Sequence, residues 1–190
     1  MSKKNKFLSI AMSMVLLFST LFIPMGSANA EELSEDEYAM IEMLSAIENM
    51  PDEVIAQGSE AIEEYLNQEV DFPIKSATPI KNSGLSTRSM NSLEIIGCAS
   101  AIGGALVTNL TPAKVLKAKA AIKAVGGATT FVKRLKPYYT MSREDGMSKS
   151  KAMRQAVSMA AQDAGPETVK ALSELFAIGS VLGACSAALG

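Results

Sequence analysis

The sequence predicts an all-α fold: a small multi-helix domain, rich in glycine and alanine and tied by one disulfide. Three observations carry that reading. Apolar residues recur at spacings of three and four, the period of a buried helical face. No stretch alternates polar and apolar residues long enough for a half-buried strand, and the β-branched residues are scattered. Gly and Pro fall between the periodic stretches, where they end helices.

Residues 1–30 have the pattern of an export signal. Lys3, Lys4 and Lys6 precede the apolar run FLSIAMSMVLLFSTLFI, Pro24 and Gly26 break its helix, and Ala28-Asn29-Ala30 supplies the small-x-small pattern of a signal-peptidase site. Cleavage is expected between Ala30 and Glu31. The competing reading is an uncleaved anchor, since the run approaches membrane-spanning length.

The formal net charge of −2 conceals a strong segregation. Residues 31–74 contain 14 acidic side chains and no basic one, whereas residues 75–190 contain 15 basic and six acidic. Blocks of this kind mark interaction or solubilising segments. The acidic block is nevertheless patterned for helix. Ser34 and Glu37 have capping-box spacing, and Met40, Ile41, Met43, Leu44 and Ile47 form an apolar stripe. Pro51-Asp52 opens a second unit with Ile55, Ile62, Tyr65 and Leu66 on one side, ended by Pro73. Two acidic amphipathic helices are expected here, as a pro-segment.

Residues 75–92, rich in Ser, Thr and Asn with Pro79 and Gly84, read as a linker with Lys75, Lys81 and Arg88 as processing positions. The plain alternative is a loop inside one domain.

Residues 93–190 form the expected basic and apolar helical domain. LEIIGCASAIGGALVTNL carries one charge. Thr111-Pro112 is a helix start, with Thr as N-cap and Pro at the first helical position. The helix that follows has Val115, Ala118, Ile122 and Val125 on one face and Lys114, Lys117 and Lys123 around the other, until Gly126-Gly127 stops it. TTFVKRLKPYYT is a further helix whose length Pro137 is expected to limit, with Ser142 and Asp145 as a capping signal beyond it. Residues 148–162 and a last helix after Gly165-Pro166 lead into an uncharged C-terminal run from Leu175.

Cys98 and Cys185 lie among small residues in the two uncharged segments. In an exported protein they most simply form a disulfide across a loop of nearly ninety residues, worth about 4–5 kcal/mol in the chain-entropy account. The alternative is two buried thiols acting as small hydrophobes.

The chain contains no His and no Trp. Without His there is no His-based triad, no HExxH site and no haem held by a proximal His. Neither Cys has a general base beside it in sequence, and Glu144-Asp145 and Glu63-Glu64 are adjacent pairs that do not face each other on a helix. No phosphate-loop or EF-hand spacing is present. The sequence therefore points to a non-catalytic protein with no metal and no cofactor, and no nucleic-acid-binding motif occurs.

Positive charge beside apolar, Gly/Ala-rich segments in an exported chain points to an anionic membrane surface or another envelope component as partner. The cations expected to make that contact are Lys114, Lys117, Lys119, Lys123, Lys133, Arg134 and Lys136. The order of parts, an export signal, an acidic pro-segment and a basic, disulfide-tied helical product, resembles that of secreted bacterial peptide-toxin and bacteriocin precursors. The resemblance is one of layout and carries no residue-level motif. It implies a secreted or envelope-associated precursor of a cationic, membrane-active antimicrobial protein or toxin, processed by signal peptidase and an extracellular protease. The rival expectation is a non-catalytic secreted helical protein whose acidic and basic parts form one permanent domain that binds an envelope component or partner protein. A third is a self-protection or inhibitor protein.

Overall fold

The computed structural model describes residues 33–72, 74 and 97–190. The expected cleavage residues Ala28, Ala30 and Glu31, and Lys75, Lys81 and Arg88 of the expected linker, lie outside them. The described residues form nine α-helices and no strand.

Helix α1 (Glu35–Asn49) starts with the capping box read from the sequence. The Ser34 hydroxyl accepts from the Glu37 amide, and the Glu37 carboxylate accepts from the Ser34 amide at 2.8 Å. Its stripe of Met40, Met43, Leu44 and Ile47 is wholly buried. The expected second acidic helix is instead two, α2 (Asp52–Gln57) and α3 (Ser59–Glu69). The break is Gly58, whose φ of +96° suits glycine and few other residues. Ile55, Ile62 and Leu66 still face inward, and Val70, Phe72 and Ile74 follow them into the core.

Helix α4 (Gly97–Asn109) carries no charged residue and buries Cys98, Ala99 and the whole run Ile102–Leu106. A helix that is apolar all round belongs in a core. It packs against α1 and α3 from the acidic block and against the last helix of the chain. Its Gly103 permits a close approach: a Cβ there would lie 2.9 Å from Met43 Cε and 3.1 Å from Ile74 Cγ2.

Helix α5 (Pro112–Ala124) begins as expected with Thr111 at the N-cap and Pro112 at the first position, although the Thr111 side chain makes no capping hydrogen bond. Val115, Ala118, Ala121 and Ile122 face inward. Gly126 and Gly127, both with positive φ, turn the chain into α6 (Ala128–Glu144).

Two sequence expectations change in α6. Pro137 lies inside the helix and does not limit it, and Ser142 is a buried helical residue rather than a cap. Pro137 is on the exposed side, where water can take the hydrogen bond its ring removes. The buried Phe131, Val132, Leu135 and Tyr139 hold the opposite face.

Helix α6 forms a hairpin with α7 (Lys149–Ala161) through a turn at Gly146. A short 3₁₀ turn leads to α8 (Pro166–Phe176) and then to α9 (Gly179–Ala188). Helix α8 packs on α5 and α7, and α9 on α4 and α7. Phe131 and Phe176 meet at a ring-centroid distance of 5.7 Å.

Cys98 and Cys185 form a disulfide, with a sequence separation of 87. It fastens α4 to α9, the two uncharged helices, as the cysteine positions predicted. No single described helix is long and apolar enough to cross a membrane. Helices α8 and α9 pass that test only as a pair, and they are bent by 88°.

The acidic clasp and the exposed ridge of helix α5

The acidic block meets the rest of the protein through charge as well as through the core. Glu37 is the most enclosed of these contacts, only 3 % exposed. Its Oε2 accepts from Lys136 Nζ at 2.8 Å while it also caps α1. Burial pushes the Glu37 carboxyl up, but hydrogen bonds from Lys136 and Ser34, with the nearby Lys136 charge, outweigh it and hold the group below the ordinary carboxylate value.

Glu48, near the C-terminus of α1, accepts from the Ala128 amide at 3.0 Å. It thereby supplies, from a distant part of the chain, a carboxylate at the positive end of α6. Gly127 leaves room for it, since a Cβ there would lie 3.2 Å from Glu48 Oε2. Lys119 of α5 donates to the Met50 carbonyl at 2.6 Å and pairs with Asp52. Three carboxylates of the acidic block therefore fasten α5 and α6.

These contacts divide the seven cations expected at an external surface. Lys119 and Lys136 are partly buried and face the acidic helices. Lys114 lies 3.9 Å from Glu174, and Arg134 lies 3.7 Å from Asp163, in exposed pairs of small energetic weight. Lys117, Lys123 and Lys133 are exposed and form no ion pair among the described residues. The structure thus sorts the set into an inner pair, two neutralised cations and three outward ones. Sequence could not supply that division, because the partners lie 67 to 99 residues away for the inner contacts.

The outward face of α5 holds something else that the sequence reading passed over. Ala113, Leu116, Lys117, Ala120, Lys123 and Ala124 are all exposed and recur at three- and four-residue spacing. They make one ridge, with Leu116 39 % exposed. The signal was present in the sequence: α5 has more apolar residues than one buried face can use. On one side of the ridge a groove of about 190 Å³ separates α5 from α8, with Lys114, Lys117, Lys170, Glu167 and Glu174 around Leu110, Ala118, Ala171 and Leu175. On the other side a shallower hollow is lined by Asp52, Leu116, Lys119, Ala120 and Lys123.

Among the described residues no group of three or more His, Cys, Asp or Glu side chains is placed to hold a metal ion. Ser142 Oγ is a buried hydroxyl with no hydrogen-bond partner among the described residues. Tyr139 donates its hydroxyl to the Ser186 carbonyl at 2.9 Å. No family model, curated protein or solved structure matches the chain.

Proposed function

We propose that this chain is a secreted, non-catalytic, membrane-active cationic helical protein, held in a folded and charge-compensated form by its acidic N-terminal helices. In the order of its parts it resembles secreted bacterial peptide-toxin and bacteriocin precursors. The observation that carries the reading is the position of α4. This uncharged helix is covered on one side by α1 and α3 of the acidic block, and α9 is joined to it by the disulfide. Removing the acidic helices would bare apolar surface at Ile102–Leu106 and release Lys119 and Lys136 from their carboxylate partners. Exposed apolar surface next to uncompensated lysines is what an anionic bilayer attracts.

A specific protease site placed between residues 75 and 92 tests the proposal. Dye release from phosphatidylglycerol-containing vesicles is expected after cutting and separation of the two pieces. It should be low for the uncut chain and fall again when residues 31–74 are added back. No release from the separated C-terminal piece, with its disulfide intact, overturns the reading.

One observation favours a second reading. Met40, Met43, Leu44 and Ile47 are fully buried among side chains of the C-terminal helices, as expected of a permanent single domain. In that case the cut pieces stay associated under native conditions, and the intact protein binds an envelope component without permeabilising membranes.

A further inference from the structure

The outward lysines and apolar residues of α5 are not placed for folding. Ala113, Leu116, Ala120 and Ala124 contribute little to the core, because the inward side of the helix is already filled by Val115, Ala118, Ala121 and Ile122. Lys117 and Lys123 emerge between them and, among the described residues, meet no carboxylate in an ion pair. Helix α5 contains no acidic residue, so its exposed face combines apolar and positive surface only.

Helix α7 is also outward and basic, but it differs. Lys149, Lys151 and Arg154 of α7 are exposed, but between them stand Ser150 and Gln155, and the apolar Ala152 and Met153 are buried. Its outer surface is polar throughout.

We infer that the exposed ridge of α5, Leu116 and the alanines flanked by Lys117 and Lys123, is the surface through which the intact folded protein docks on an anionic lipid bilayer. The inference deepens the proposed membrane activity and rests on it, but it concerns the step before any release of the acidic helices. Charge complementarity selects the occupant. Lysine stems lie along apolar surface while their ammonium groups reach phosphates, and Leu116 with the alanines enters the headgroup layer. The groove beside the ridge is of mixed charge, with Lys114 and Lys170 set against Glu167 and Glu174, so the positive surface is confined to Lys117 and Lys123 on the ridge itself.

Residues Leu33–Gly190 form a compact unit, so residues 31–190 serve for the test. Binding is measured on phosphatidylcholine vesicles with and without phosphatidylglycerol at physiological salt, where charges beyond about 8 Å are screened and position matters more than net charge. The double variant Lys117→Gln with Lys123→Gln is expected to lose about 25-fold in affinity for the anionic vesicles. Lys149→Gln with Lys151→Gln removes the same charge from α7 and should stay within about twofold of the parent, since those lysines lie off the docking face.

The chain contains no tryptophan, so one introduced at a single position reports its own surroundings. Leu116→Trp fluorescence should shift to the blue on anionic vesicles, and Gln155→Trp on α7 should not. Equal losses for the two lysine pairs, or a blue shift at 155 and none at 116, overturn the α5 assignment and leave the membrane reading standing. Failure of the parent protein to bind any vesicle, with its circular dichroism still helical, overturns the docking inference, whereas the membrane reading falls only if the separated C-terminal piece also releases no dye.

Discussion

Helices α4 and α5 are each 13 residues long, each built largely of Ala, Gly and aliphatic residues, and each in contact with the acidic block, yet they meet it in opposite ways. Helix α4 has no charge, and the acidic helices meet it through dry packing, with Met43 and Ile74 seated on Gly103. Helix α5 carries four lysines, and one of them, Lys119, reaches back to Met50 and Asp52. The next helix, α6, adds Lys136 on Glu37 and its own amide on Glu48. The acidic block thus has an apolar seam and a charged seam. The two respond to different perturbations, which makes them separable.

The largest expected effect is on the α4 side. Reducing the disulfide, or replacing both Cys98 and Cys185 with Ala, should lower stability by about 4–5 kcal/mol, read from urea denaturation with and without reductant. A loss below about 1 kcal/mol would mean that α4 and α9 are held by packing alone.

Filling the seam itself comes next. Gly103→Leu places side-chain atoms where Met43 and Ile74 already lie, and should cost about 1–3 kcal/mol. Ala120→Leu, a comparable enlargement on the open ridge of α5, should change stability by less than about 0.5 kcal/mol. Similar values for both would erase the contrast between the helices.

The charged seam should respond to acid. The Glu37 carboxyl is held below its ordinary value of 4.5, so its contribution is complete above that pH. It is lost as the pH falls from about 4.5 through the lower folded-state value. Glu37→Gln should cost about 2 kcal/mol at neutral pH and make the decline in stability below 4.5 shallower. Gly103→Leu should leave that pH profile parallel to the parent.

The smallest effect separates two lysines only two positions apart. Lys119→Ala leaves the Met50 carbonyl without its donor and should cost about 1 kcal/mol, whereas Lys117→Ala should be within about 0.5 kcal/mol of the parent. Thermal denaturation of the two single variants in one buffer checks this.

The features legible in the sequence were those set by neighbours a few residues apart. The capping box at Ser34 and Glu37, the Pro112 start and the stripe on α1 are local geometry. The cysteine pair was legible because the sequence holds only two thiols, each set among small residues in an uncharged segment. Gly58 was passed over because the apolar period continues across it, and only its positive φ breaks the helix. Pro137 misled in the other direction, since burial of Phe131, Leu135 and Tyr139 outweighs the loss of one exposed hydrogen bond. The clasp was invisible for a simpler reason. Glu37 is separated from Lys136 by 99 residues and Glu48 from Ala128 by 80, so nothing local distinguishes them from the other acidic residues.

The bond between Cys98 and Cys185 also gives the chain a topology. Every residue from 99 to 184 lies on a closed covalent ring, and the acidic helices hang outside it as a tail. A single backbone cut within α5 to α8 therefore liberates nothing until the bond is reduced. A cut between residues 74 and 97 separates tail from ring in an oxidising medium. Of all single scissions, those are the ones that can part the acidic helices from the basic ones, and gels run with and without reductant would tell the two kinds apart.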